Sequence, residues 1–182
     1  MNISESLGQK IIVITGPTAT GKSALGVRLA ELIDGEIVSA DSMQVYMHMD
    51  IGTAKPTIGE KRDVPHHMID CVTPFEDYSV ARYVKDASVC IDDIFRRKKQ
   101  PVLVGGTGLY IDSLLAGRTF LPRGSDDLRR KLEDEYELIG GDAMLVKLRE
   151  IDTDSADKLH ANDKKRIVRA FETFLTTGKP IS

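Results

Sequence analysis

The octapeptide Gly16-Pro17-Thr18-Ala19-Thr20-Gly21-Lys22-Ser23 constrains this chain more than any other stretch. It satisfies G-x-x-x-x-G-K-[ST] at every fixed position, and its flanks agree with the motif. Lys10 to Thr15 is a short β-branched run of the kind that forms a buried parallel strand. Leu25, Leu29 and Leu32 then recur at the spacing of one helix face. A strand, a glycine-bearing loop and a helix in that order bring backbone N–H groups and the positive end of a helix dipole onto an anion. Lys22 adds a full positive charge, and Ser23 a hydroxyl suited to magnesium, a hard cation. A turn that merely joins strand to helix explains less, because both flanks fit. The stretch predicts polyphosphate binding on a parallel α/β sheet and leaves open whether the ligand is ATP or another diphosphate.

A chain of 182 residues holds one such domain with room for an insertion. Its 41% hydrophobic and 29% charged residues match a soluble globular protein. With 25 basic against 28 acidic side chains, a nucleic-acid site has to be local rather than a basic coat. Cys71 and Cys90 show neither metal-ligand spacing nor a disulfide framework, as expected of reduced thiols. Residues 1–9 have no apolar signal-peptide core, and no apolar run reaches the ~18 residues of a membrane span. A cytoplasmic protein without membrane association is expected.

Glu36 to Ala40 reads as a second strand that delivers Asp41-Ser42-Met43-Gln44 to the sheet edge carrying the phosphate loop. A carboxylate at Asp41 can take a proton from a nucleophile or hold a water on magnesium; it can equally cap a turn. Between Met47 and Pro74 the periodicity fades, which predicts a long functional loop with short helical pieces. His66 and His67 lie there, adjacent and without a third strong ligand, so a structural pair satisfying backbone groups fits better than a metal site. Val80, Val84, Ala87, Ile91 and Ile94 mark a helix whose basic end, Arg96 to Lys99, suits the negative dipole terminus without nucleic acid. Pro101 to Val104 is a third strand ending in Gly105-Gly106-Thr107. A Walker-type ATPase usually places an aspartate there; the glycines instead let a ligand come close, which argues against a motor or GTPase.

From Arg118 to Asn162 the pattern is of solvated amphipathic helices, a lid or clamp. Asn162 is expected to cap a last helix with Ile167, Phe171 and Phe174 facing inward and Lys165, Arg166 and Arg169 largely on the other side. The expected organisation is a P-loop NTPase-like parallel sheet with flanking helices over 1–117, a helical insertion over 118–162 and a helix returning to the core over 163–182.

Several motifs stand in one order: the phosphate loop, Asp41 to Tyr46, Gly52 to Pro56, His66 to Asp70, Gly105 to Tyr110, His160 to Asp163 with Arg166 and Arg169, and Thr177 to Pro180. The set resembles the bacterial tRNA dimethylallyltransferases from about residue 10 to the end. The resemblance implies transfer of a dimethylallyl group from dimethylallyl diphosphate to N6 of an adenosine beside the tRNA anticodon, position 37. It makes Gly16 to Ser23 the diphosphate cradle and Ser23 the magnesium ligand, with Lys22, Asp41 and Thr107 at the chemistry. Asp41 would be the base, and Ser42, Met43, Gln44 and Thr107 would face the target nucleotide. Arg129 and the stretch Lys165, Arg166, Ile167, Val168 and Arg169 would contact tRNA, which presents a flipped-out base. A monomer with no protein partner is implied. Two departures stand out: Ala161 replaces the family's usual proline, and family members continue well past Ser182, which implies a missing C-terminal part. A P-loop small-molecule kinase and an adenylate isopentenyltransferase acting on free nucleotides are the alternatives.

Overall fold

The computed structural model describes residues 10–118, 120 and 124–182. The expectation about a signal peptide falls on residues 1–9, outside the described residues. The chain divides into two compact units, 1–119 and 120–182.

In the first unit, β1 (Ile12–Thr15), β2 (Gly35–Ala40), β3 (His66–His67) and β4 (Gln100–Gly105) form one parallel sheet in the order β1-β4-β2-β3. It is the expected P-loop NTPase-like α/β sheet, with helices crossing between parallel strands. β2 is buried throughout and β4 at every position but Gln100. β1, expected to be buried, is only partly so and ends on an exposed Thr15, since β4 is its one neighbour among the described strands. Helix α1 (Lys22–Leu32) buries Gly26, Val27 and Ala30, not the leucine stripe of the sequence pattern; Leu25 and Leu32 are exposed. Small residues win because the helix lies close on the sheet: a Cβ on Gly26 would stand 2.8 Å from the Val104 side chain. Val27 and Ala30 pack there with Ile37, Val102 and Val104.

The stretch expected as a long loop with short helical pieces holds one such piece, the capping-boxed α2 (Ile58–Lys61), but it also adds β3 beside β2, with Ile37 opposite His66. Two residues are too few for a period to show. Helix α3 (Val80–Arg96), capped by Ser79, buries Tyr83, Val84, Ala87, Ile91 and Ile94, close to expectation. Tyr83 stacks on Tyr110 of α4 (Gly108–Leu115), ring centroids 4.0 Å apart, and its hydroxyl donates to the Ser39 carbonyl at 3.0 Å. That bond holds the end of β2 leading to Asp41. The basic end of α3 is largely paired: Arg96 and Arg97 with Asp93, Arg97 also with Glu36, and Lys99 with Asp34.

The second unit consists, among the described residues, of α5 (Asp126–Ile139), α6 (Gly141–Arg149), α7 (Thr153–Lys158) and α8 (Lys164–Thr177). Its core includes Leu132, Met144, Leu148, Ala156, Ile167 and Ala170. α8, read from the sequence as returning to the first core, packs on α5 and α6 within its own unit. The cap of α8 is Asp163, not Asn162, and its carboxylate accepts from the His160 N–H at 3.2 Å rather than from the helix. Asp152 caps α7, and its carboxylate collects N–H donors from Ser155, Ile181 and Ser182 and the Ser155 hydroxyl. Burial alone would raise that carboxyl, but the bonds from Ser155 and Ser182 outweigh it and hold its pKa at about 2.

Candidate functional site

The phosphate loop follows β1 and turns through left-handed Ala19 (φ 64°) and Gly21 (φ 81°), the residue before α1. Ala19 in that region costs about 1–2 kcal/mol, so the loop conformation is imposed by its surroundings. The Thr20 hydroxyl donates to the Pro17 carbonyl at 2.9 Å, and the Lys22 ammonium donates to the same oxygen, which folds the lysine over its own loop. α1 carries no side-chain cap and no acidic residue in its first turn, so its positive end is left uncompensated. Ser23 is exposed, and its hydroxyl has no partner among the described residues.

Across the cavity from the loop, Asp41 directly follows β2. Its Oδ1 accepts from the Met43 N–H at 2.9 Å and the Gln44 N–H at 3.3 Å, the turn-capping role foreseen for it. Its Oδ2 has no partner among the described residues, so one carboxylate carries the cap on one oxygen and leaves the other available. The turn is tied to the end of β4: Thr107 Oγ1 accepts from the Ser42 N–H at 3.0 Å, and the Thr107 N–H donates to Ala40 at 3.1 Å. The strands close tightly here, since a Cβ on Gly105 would meet the Ala40 carbonyl oxygen at 2.2 Å. Gly105 is therefore required by the neighbouring strand, and both Gly105 and Gly106 line the open space beyond it.

That space is a cavity of about 760 Å³ whose wall runs from Thr18 to Leu25 on the loop and α1, past Ser39, Asp41 and Gln44, to Thr53, Pro56, His66 and Ile69. Of the residues expected around the target base, Asp41 and Gln44 line it; Ser42, Met43 and Thr107 do not. The Gln44 side chain is occupied internally: it accepts from Ser39 Oγ at 3.1 Å and donates to the Thr53 and Ala54 carbonyls at 3.2 and 3.3 Å. It is a strut between strand end and loop. Behind the loop Lys55, 5% exposed in its side chain, bridges Asp50 at 3.0 Å and Asp70 at 2.6 Å. Burial works against its charge, yet the bonds to Asp70 and Asp50 raise its pKa above the ordinary lysine value. His66 places Nδ1 2.8 Å from the Val64 carbonyl, and burial, the leading effect, lowers its pKa. His67 Nε2 lies 2.7 Å from Glu36, so only His66 meets the expectation of a backbone partner. No group of three or more His, Cys, Asp or Glu able to hold a metal occurs among the described residues.

In the second unit the predicted tRNA contacts separate. Lys165 and Arg166 are exposed on α8, whereas Ile167 and Val168 are 0% and 2% exposed and belong to the core. Their side chains offer nothing to an outside partner, because successive helical residues point about 100° apart and these two fall on the packed face. Arg169 pairs at 2.9 Å with the buried Glu172, whose other oxygen accepts from the Gly124 N–H. Arg129 pairs along its own helix with Glu133 at 3.0 Å.

Loop, helix terminus and facing carboxylate define a P-loop NTPase-like α/β protein with a candidate proton acceptor at the cavity wall. The IPP transferase family model matches residues 44–182, and the isopentenyl transferase model matches 9–70. The chain belongs to the IPP transferase family. It is 50% identical over 173 residues to a tRNA dimethylallyltransferase 2 of Geotalea uraniireducens, covering 95% of this chain and 56% of that one. A tRNA dimethylallyltransferase of Caldanaerobacter subterraneus is 51% identical, with 95% and 55% covered. The crystal structure of full-length tRNA isopentenylpyrophosphate transferase from Bacillus halodurans aligns with TM-score 0.61 and 42% identity over 94% of this chain and 57% of the other. A eukaryotic dimethylallyltransferase acting on tRNA aligns with TM-score 0.82 and 38% identity over 94% and 43%. The chain thus spans little more than half the length of the curated relatives it matches. No described helix is long and apolar enough to cross a membrane.

Proposed function

We propose that this chain carries the phosphate-binding and proton-accepting half of a tRNA dimethylallyltransferase. The observation that carries the reading is Asp41, fixed through Oδ1 at the wall of the phosphate-loop cavity with Oδ2 unpartnered among the described residues. Dimethylallyl diphosphate sits with its diphosphate on the Gly16–Ser23 loop, held by backbone N–H groups, Lys22 and the α1 terminus. As the allylic C–O bond breaks, its electron pair leaves with the diphosphate, and Lys22 stabilises the growing charge. The N6 amine of adenosine forms the new C–N bond and gives its proton to Asp41. Magnesium, when bound, offsets diphosphate charge; the exposed Ser23 hydroxyl is the hard donor the loop offers it. Thr107 and Gln44 act by holding the Asp41 turn. Lys165 and Arg166, with Arg129 and Arg169 behind their carboxylates, are the candidates for tRNA phosphates near the anticodon position 37. A monomer in the cytoplasm completes the reading.

The test is to offer labelled dimethylallyl diphosphate with unmodified tRNA, with AMP, and ATP with shikimate. Label on tRNA adenosine supports the reading. Label on AMP, or phosphoryl transfer to shikimate, replaces it.

A further inference from the structure

Beyond Lys22 of the loop, the cavity wall carries two arginines, Arg28 and Arg62. Arg28 lies on α1 six residues beyond Lys22, about 9 Å along the helix axis. It lines the cavity and is exposed. Arg62 pairs with Glu31 at 2.7 Å, and Lys55, which does not line the cavity, pairs with Asp50 and Asp70. Arg28 has no ion-pair or hydrogen-bond partner among the described residues. Of the acids lining the cavity, Asp41 uses Oδ1 on its turn, and Glu60 accepts from the Thr57 N–H and hydroxyl at 2.8 Å.

Helical side chains lean toward the N-terminus and cover the turn before their own Cα. For Arg28 that turn holds Ala24 and Leu25, which line the same cavity. Alanine leaves room for a guanidinium to reach back toward the phosphate loop.

We propose that Arg28 is a second diphosphate-recognition residue, a guanidinium that meets the phosphate oxygens projecting beyond the loop. This inference rests on the assignment of the loop as the diphosphate site. Lys22 is a point charge beneath the anion; Arg28 adds a planar donor pair from the side, the geometry that favours phosphate. Because it stands in solvent, its contribution falls as salt rises.

Binding of magnesium pyrophosphate, and separately of dimethylallyl diphosphate, is measured by calorimetry at several salt concentrations. The proteins compared are the unaltered chain, Arg28→Gln, Lys22→Ala and Arg96→Gln, the last a charge-matched change at the far end of α3. Arg28→Gln weakens both ligands about fivefold at low salt, with the difference shrinking as salt rises. Arg96→Gln does not, and melting temperatures stay together. Loss in Lys22→Ala with no loss in Arg28→Gln overturns this inference alone. Absence of binding by the unaltered chain overturns the loop assignment and this inference with it. An Arg28→Gln effect confined to tRNA binding assigns the residue to the nucleic acid and also overturns it.

Discussion

The two ends of β2 carry carboxylates with opposite fates. Glu36, one residue into the strand, is 1% exposed and receives two bonds from the Arg97 guanidinium and one contact from His67. Arg97 first, then His67, overcome the cost of burial and hold its carboxyl at about 2. Asp41, just past the other end, lines a cavity and, among the described residues, has partners on Oδ1 alone. The chemistry of the group is nearly the same; the number of donors aimed at it differs. A carboxylate closed on all sides holds the fold, while one held by a single oxygen is oriented and still able to accept a proton.

The largest effect expected from breaking this contrast is at the open end. Asp41→Asn keeps the acceptor for the turn amides but cannot take a proton, so single-turnover prenyl transfer falls about 10²–10⁴-fold. The melting temperature stays near that of the unaltered chain. A parallel loss of stability and rate would return Asp41 to the role of a turn cap alone.

At the closed end, Glu36→Gln lowers stability by about 3 kcal/mol at neutral pH, because Arg97 loses its buried counter-charge. The sign of the pH effect follows from a carboxyl pKa lowered from 4.5 to about 2. The stabilisation is complete above about 4.5 and disappears as pH falls toward 2. Urea unfolding across that window should show a steep acid limb in the unaltered chain and a flatter one in Glu36→Gln. Equal slopes would remove Glu36 as the source.

Between the ends, Gln44→Leu keeps the bulk but leaves the Thr53 and Ala54 carbonyls without their donor. A loss of about 1 kcal/mol and weaker diphosphate binding, with tRNA affinity unchanged, are expected if Gln44 is a strut. Weakened tRNA binding with intact diphosphate affinity would make it a base reader instead.

The smallest effects test the second unit by the same logic of open against closed. Arg166→Glu, on an exposed charge, weakens tRNA binding a few-fold and lowers its salt dependence by about one unit of slope. Arg169→Glu, which sets a carboxylate against buried Glu172, lowers the melting temperature of the second unit first. Were Arg166→Glu silent at every salt concentration, α8 would present only a solvated face.

Much of the first unit was legible because its signals are local. Eight consecutive residues make the phosphate loop, the five apolar positions of α3 recur at helical spacing, and Val102 to Val104 form an uninterrupted apolar run. Asp41 could be placed at the loop's edge because parallel strands deliver their carboxyl ends to one side. Tertiary structure alone decided what each side chain is free to do. The partners of Glu36 come from 31 and 61 residues away, Thr107 reaches Ser42 across 65, and Gly124 reaches Glu172 across 48. The leucine stripe of α1 lost to Gly26, Val27 and Ala30 because closeness to the sheet, not hydrophobicity, chose the buried face. Residue type and spacing determine which elements form and which charges are available; only packing determines which of those charges are closed by a partner and which remain open to a ligand.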